Sequence, residues 1–156
     1  MTTGTDLPIR TRGVIAFVVA GNGDSARVLL LQRKTPPVGA WCPVSGRIEA
    51  NETGWQTALR EILEETGLKE GALSTTGIVD SFYDPAENTI EMMPVFLFAI
   101  ERETAVTVDD SQSDHAWLTV GAALARLTFA GHKAALETIA RDFINRAPGG
   151  LSRIAP

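Results

Sequence analysis

The sequence predicts an α/β protein with helices on both sides of a mixed β-sheet, and three observations carry that prediction. Residues 14–20 and 27–33 are apolar, strand-forming runs separated by Gly21-Asn22-Gly23-Asp24, the pattern of a β-hairpin. Residues 53–66 form a helical pattern with both ends specified. Two further strand-like runs, 77–83 and 90–101, come before helical patterns at 119–127 and 132–146.

Each element has its own grounds. Pro36, Pro37 and Gly39 mark a loop leading into residues 41–44. Thr53 and Gln56 have capping-box spacing, and Gly67 suits the left-handed position after a last turn. Leu68 is then expected to pack back on Leu63 in a Schellman stop. At about 100° per residue, Trp55, Leu59, Ile62 and Leu63 share the expected core face. Pro94 marks an edge or a bulge in the strand that holds it.

Composition limits the function classes. A chain of 156 residues suits one domain spanning 1–156, and 44% hydrophobic with 21% charged residues is ordinary for a globular protein. A net charge of −5 argues against broad nucleic-acid binding, which needs many phosphate-neutralising cations. The lone cysteine, Cys42, excludes an internal disulfide and reads as a small buried hydrophobe. Residues 1–12 show no signal peptide and no run is long enough to cross a bilayer, so the cytoplasm is the expected address.

The chemistry concentrates on the capped helix. Glu61, Glu64 and Glu65 stand at i, i+3 and i+4 and project from one face, expected to lie opposite Leu59 and Leu63. Like charges at that spacing repel, and Arg60 relieves only part of the repulsion. Hard carboxylate oxygens suit Mg²⁺, which also takes oxygens from substrate phosphates. Three glutamates alone would more readily make a solvated surface. Their surroundings decide otherwise.

Gly46 is followed after five residues by Glu52, then after seven by Arg60-Glu61-Ile62-Leu63-Glu64-Glu65-Thr66-Gly67-Leu68. This stretch resembles the Nudix box, and all nine specified positions of the 46–68 segment are filled. The flanking elements are similar to the Nudix α/β/α sandwich. The resemblance implies a Mg²⁺-dependent hydrolase of a diphosphate linkage, with Mn²⁺ as a substitute. It further implies that Glu61, Glu64, Glu65 and the Gly46 carbonyl hold metal. Glu61 and Glu64 are the catalytic candidates, with Arg60 and Glu52 orienting the loop and the glutamates.

Two departures stand out. Many relatives carry a Glu-His pair before a late-strand Trp. Here Trp117 matches that Trp, but Ser111 and Gln112 occupy the pair's positions. The general base is therefore Glu61 or a loop carboxylate such as Asp109, Asp110 or Asp114, each of which also reads as an ordinary loop residue. Ser45 stands where many relatives have glycine.

Arg33 and Arg47 are the candidate phosphate contacts, since a guanidinium binds phosphate oxygens in pairs. Trp41, Tyr83 and Phe129 are aromatic enough to stack on a base, although core packing is the better expectation for each. His115 and His132 do not have metal-pair spacing. Loose similarity outside the box favours dATP or dihydroneopterin triphosphate pyrophosphohydrolases, with release of pyrophosphate. A dinucleoside polyphosphate hydrolase and a non-catalytic nucleotide-binding domain are the alternatives. The expected partner is a small nucleotide-like diphosphate, not nucleic acid or membrane, with a homodimer left open.

Overall fold

The computed structural model describes residues 4–145 and 152–154. Its strands are β1 (Ile9–Arg10), β2 (Gly13–Ala20), β3 (Arg27–Arg33), β4 (Trp41–Cys42), β5 (Val44–Arg47), β6 (Ala72–Asp84), β7 (Thr89–Ile100) and β8 (Gln112–Leu118). The helices are α1 (Gly54–Thr66), α2 (Val120–Arg126) and α3 (Ala130–Ile139), the last widening into a π-type turn at Ala140–Ile144.

β2 is buried along its whole length because both faces of the sheet are covered. Period-two alternation sends Ile15, Phe17 and Val19 to one face, where they meet Leu127, Leu136 and Ile139 of the C-terminal helices. Val14, Ala16 and Val18 go to the other face, against Ala58 and Ile62 of α1. The α/β/α layering expected from the sequence follows.

β2 runs parallel to β7 and antiparallel to β3, so the sheet is mixed. The hairpin turn contains a short 3₁₀ segment, Gly23–Ser25. β2 pairs with β3 only through residues 18–20, and residues 13–16 pair with β5 instead. Further along β3, Leu31 and Gln32 pair with β4. The 41–47 segment therefore enters where the hairpin strands separate, and this places Ser45 and Gly46 at the open end of the sheet.

Several expectations require correction. Helix α1 starts as expected, with reciprocal Thr53 and Gln56 hydrogen bonds, and Gly67 has φ 76°. The stop, however, is a single Gly67 N–H bond to the Leu63 carbonyl, while the Leu68 N–H donates to Thr66 Oγ1. Leu63 is 45% exposed, and so is not the core residue its spacing suggests, and Leu68 belongs to the buried cluster with Val14, Ile62 and Phe98. β6 starts five residues before 77. Pro94 is no edge residue: β7 is internal, and the irregularity lies opposite it in β6, between Thr75 and Val79. There the Thr76 hydroxyl donates to the Val95 carbonyl. Trp117 lies near the end of β8, not at its start. Helix α3 begins two residues before His132, and Arg146, its expected last residue, lies outside the described residues. No described helix is long and apolar enough to cross a membrane.

Candidate metal centre and substrate cavity

Helix α1 lies over β5, and their meeting point assembles the acidic residues. Gly46 pairs with Val14 in the sheet and faces α1. A β-carbon at Gly46 would lie 2.1 Å from the Glu61 carboxyl carbon. Only glycine lets the strand approach so closely. Ser45, one residue earlier, turns its side to the opposite face, but its N–H donates to Glu65 Oε2 at 3.3 Å.

The three glutamates do not share one environment, contrary to the single face read from their spacing. Glu64 is exposed, Glu61 is partly buried, and Glu65 is only 7% exposed. Glu65 belongs to the inner side of the helix with Ala58 and Ile62, one turn beyond Glu61 and close to the sheet. Its other oxygen accepts a bond from Gln112 Nε2 at 3.1 Å. Burial first, then the charges of Glu61 and Asp109, push the Glu65 carboxyl up to about 8. Burial also raises that of Glu61, against the hydrogen bond from Arg60, and Glu64 and Asp109 add to the rise.

Arg60 ties the loop to the helix. Its Nε and Nη2 contact the Glu52 carboxylate at 2.7 and 2.9 Å. Nη2 also donates to the Arg47 carbonyl at 2.8 Å, and Nη1 reaches Glu61 at 2.7 Å and Glu64 at 3.2 Å. Arg60, with added bonds from the Thr57 hydroxyl and the Glu49 N–H, holds the Glu52 carboxyl down to about 2. A lysine cannot span this set from one planar group. Arg60→Lys is expected to leave the fold intact and weaken Mg²⁺ affinity about 10- to 100-fold, read from the midpoint of a metal titration.

The loop before β8 adds one of the three loop carboxylates named from the sequence. Asp109 is half-buried and acts electrostatically on both Glu61 and Glu65. Its Oδ1 accepts bonds from the backbone and hydroxyl of Ser111. Asp110 is exposed, and Asp114 bonds the His115 N–H. Of the three loop carboxylates considered, Asp109 is the one brought into the cluster. Glu61, Glu65 and Asp109 act on one another electrostatically, and carboxylate oxygens are the donors that suit a divalent cation, but their oxygens are not gathered within 4.8 Å as a set. A separate trio, Asp84, Glu87 and Glu91, has carboxylate oxygens within 4.8 Å of one another, but Arg12 pairs with both glutamates.

Beside the glutamates opens a cavity of about 340 Å³. It crosses the sheet end from Phe82 and Asp84 on β6 and Glu91 and Met93 on β7, past Gly13, to Ser45, Gly46 and Arg47 on β5. It then reaches Arg33, Thr35, Glu65, Ser111 and Gln112. Arg33 donates to Thr35 Oγ1 and the Pro36 carbonyl, yet its buried Nε has no partner among the described residues. Arg47 gives its carbonyl to Arg60 and its exposed side chain to the cavity wall.

The other candidates sort plainly. Cys42 is buried, and burial pushes its thiol up to about 11. Trp41 packs on the core and lies 5.0 Å beneath the Arg126 guanidinium. Tyr83 and Phe129 are exposed, which corrects the core-packing expectation for both. His132 is largely buried near Asp80, and His115 is half-buried on β8. Sequence reasoning missed Arg12 and Glu91, and it noted Gln112 only as a departure. The first two are polar strand-end residues with no motif around them.

Comparison with known proteins gives one family. The NUDIX domain model matches residues 9–140. A Myxococcus xanthus protein called octanoyltransferase is 34% identical over 143 residues, covering 87% of this chain and 38% of that protein. A Haemophilus influenzae dihydroneopterin triphosphate diphosphatase is 45% identical over 59 residues, 38% of this chain and 37% of the relative. The chain thus spans about two fifths of the length of these relatives. The structure of the Escherichia coli dihydroneopterin triphosphate pyrophosphohydrolase superposes with a TM-score of 0.73 at 22% identity, covering 89% of this chain and 98% of that one. At that identity the likeness speaks for the fold.

Proposed function

The chain belongs to the Nudix family, and we propose that it is a Mg²⁺-dependent pyrophosphohydrolase of a nucleotide-like diphosphate. The observation that carries this reading is the joining of two features. Buried acidic groups cluster against Gly46, and they border a cavity walled by Arg33 and Arg47.

In this reading Glu61, Glu64, Glu65 and the Gly46 carbonyl hold the metal. When bound, the metal neutralises phosphate charge and makes a water more acidic. The chain's own groups do the rest. Arg60 and Glu52 fix the glutamates and the 45–47 backbone, as their hydrogen bonds support. Gln112 and the Ser45 N–H hold Glu65. The base that takes the water's proton is Glu61 or Asp109, the two carboxylates whose charges act on Glu65. Arg33 offers its unpartnered Nε–H to a phosphate oxygen. Arg47 is placed to bind a second phosphate.

The substrate is a nucleoside triphosphate or a pterin triphosphate, cleaved to pyrophosphate and a monophosphate. The name of the Haemophilus relative and the size of the cavity support this class. The name of the Myxococcus relative describes acyl transfer, for which the buried, high-pKa Cys42 is a poor nucleophile.

The test is phosphate and pyrophosphate release from nucleoside triphosphates, dihydroneopterin triphosphate and dinucleoside polyphosphates with Mg²⁺. Wild type is expected to turn over at least one, and Glu64→Gln to be strongly impaired. A folded protein that binds nucleotides but turns over none would instead be a binding module. Full activity in both Glu64→Gln and Glu65→Gln would refute the metal assignment. Arg33→Ala is expected to raise KM about 10-fold or more with a smaller change in kcat, as fits loss of one charge-assisted phosphate contact.

A further inference from the structure

The cavity is divided electrically, and its far end has no part in the chemistry described so far. At that end Phe82 of β6 stands directly across from Glu91 of β7, so both side chains rise from the same face. Met93, on the same face, comes against Gly13 and packs on the core. Phe82 is 46% exposed although it lines a cavity wall. Asp84 lines the wall beside them.

Glu91 is the unusual group here. Its side chain is only 9% exposed, yet its bonds use one oxygen alone. Oε1 accepts from Arg12 at 2.5 Å and from Thr89 Oγ1 at 2.9 Å. Oε2 has no hydrogen-bond partner among the described residues. That oxygen is not sealed from solvent, and a carboxylate oxygen open to the cavity in this way can accept an N–H from a bound ligand. Gln112, 7% exposed and lining the same cavity, likewise has its Oε1 without a partner. Glu91 Oε2 at this end can accept an N–H from whatever fills the space, while Gln112 Oε1 belongs to the Glu65 end.

Phosphates do not belong at this end. Asp84, Glu87 and Glu91 bring three negative charges together around Arg12, and Arg47, whose charge also acts on Glu91, offsets only part of them. They repel a polyphosphate and leave it to the side of Arg33. A divalent ion is also poorly served, because it would have to displace Arg12 from both glutamates. A flat ring rich in donors suits the site: Phe82 and Met93 offer an apolar surface, and Glu91 offers acceptance.

Resting on the pyrophosphohydrolase reading above, we infer that Glu91, with Phe82 and Met93, forms the subsite that selects the substrate's heterocycle. The subsite takes a ring with an amino-lactam edge, an N–H beside an exocyclic NH₂. Guanine and pterin carry that edge. Hypoxanthine keeps the lactam N–H but lacks the amino group, and adenine has an amino group beside a ring nitrogen that accepts instead of donating. The acidic groups also set direction, with phosphates toward Glu65 and Arg33 and the ring toward Glu91.

The experiment compares kcat/KM for dGTP, dITP and dATP in wild type and Glu91→Gln. Equilibrium binding of the matching α,β-methylene analogues is measured alongside. Wild type is expected to favour dGTP over dITP by about 10-fold and over dATP by about 100-fold, since a site built around hydrogen bonds rejects ligands that lack the donors. In Glu91→Gln the three values are expected to fall within about 3-fold of one another. A flat or adenine-favouring wild type overturns the inference, whether or not the variant folds. So does a folded Glu91→Gln protein that keeps the wild-type ratios. Selective binding of the guanine analogue without any turnover would sink the enzymatic reading and leave the subsite standing. Turnover without selectivity would do the reverse.

Discussion

Glu65→Gln is expected to lower kcat by roughly 10²- to 10⁴-fold, the range that follows when several kcat-relevant kcal/mol of charge stabilisation are withdrawn. Of the three box glutamates, this one lies deepest, and both of its oxygens are held by the protein, by Ser45 N–H and Gln112. A glutamine keeps the shape and removes the charge. The loss should come with a second signature that a merely structural residue would not give. In the metal-free protein the folded-state carboxyl is raised from 4.5 to about 8. Between those values the folded form holds a proton that the unfolded form has released, so stability is full near pH 4.5 and falls as pH rises to about 8.

Above pH 8 the wild type carries the whole cost of a buried, ionised Glu65, and the variant carries none. Glu65→Gln should therefore be the more stable metal-free protein at pH 8.5, by roughly 2 to 4 kcal/mol, and equal to wild type near pH 5. Thermal melts at the two pH values read this directly. Saturating Mg²⁺ should reverse the order at pH 8.5, because wild type gains a bound ion and the variant does not. Near pH 7, Mg²⁺ addition to wild type should also release protons into a weak buffer, and less from the variant. A variant that melts like wild type at pH 8.5 with and without Mg²⁺ would remove Glu65 from the site.

This division of labour among the glutamates was only half visible in the sequence. The capping box of Thr53 and Gln56, the left-handed Gly67 and the continuous apolar run of β2 are local features, and each appears as read. Local spacing also put Glu61, Glu64 and Glu65 on one arc. It could not say which part of that arc meets β5, because that depends on how α1 is set against the sheet. The same limit explains Leu63, which has the spacing of a core residue but lies beyond the edge of the contact. Asp109 and Gln112 come into the site through β8, whose pairing with β3 joins residues about eighty positions apart. Arg12 and Glu91 meet because β1 and β2 both run along β7. No short-range pattern marks such meetings.

Gly46→Ala tests the site from its backbone side and should be nearly as damaging as loss of a glutamate. A methyl group at this position would sit 2.1 to 2.3 Å from atoms of the Glu61 side chain, well inside contact distance. The strand has little freedom to retreat, since Gly46 is paired with Val14 in the middle of the β2–β5 ladder. The clash must therefore be relieved by moving the Glu61 side chain, which also carries the 2.7 Å bond from Arg60. Displacing Glu61 disturbs a proposed metal ligand and a candidate base together. A drop in kcat of about 100-fold or more is expected, with a clear loss of apparent Mg²⁺ affinity, while the rest of the sheet keeps its far-UV circular dichroism. The control is Ser45→Ala, one residue away, whose side chain turns to the other face and whose N–H to Glu65 survives the change. It should retain metal affinity within about 3-fold, because it adds no atoms toward α1 and removes no donor from Glu65. If Gly46→Ala matched that control in metal affinity and kcat, the close approach of Gly46 to Glu61 would have no functional meaning.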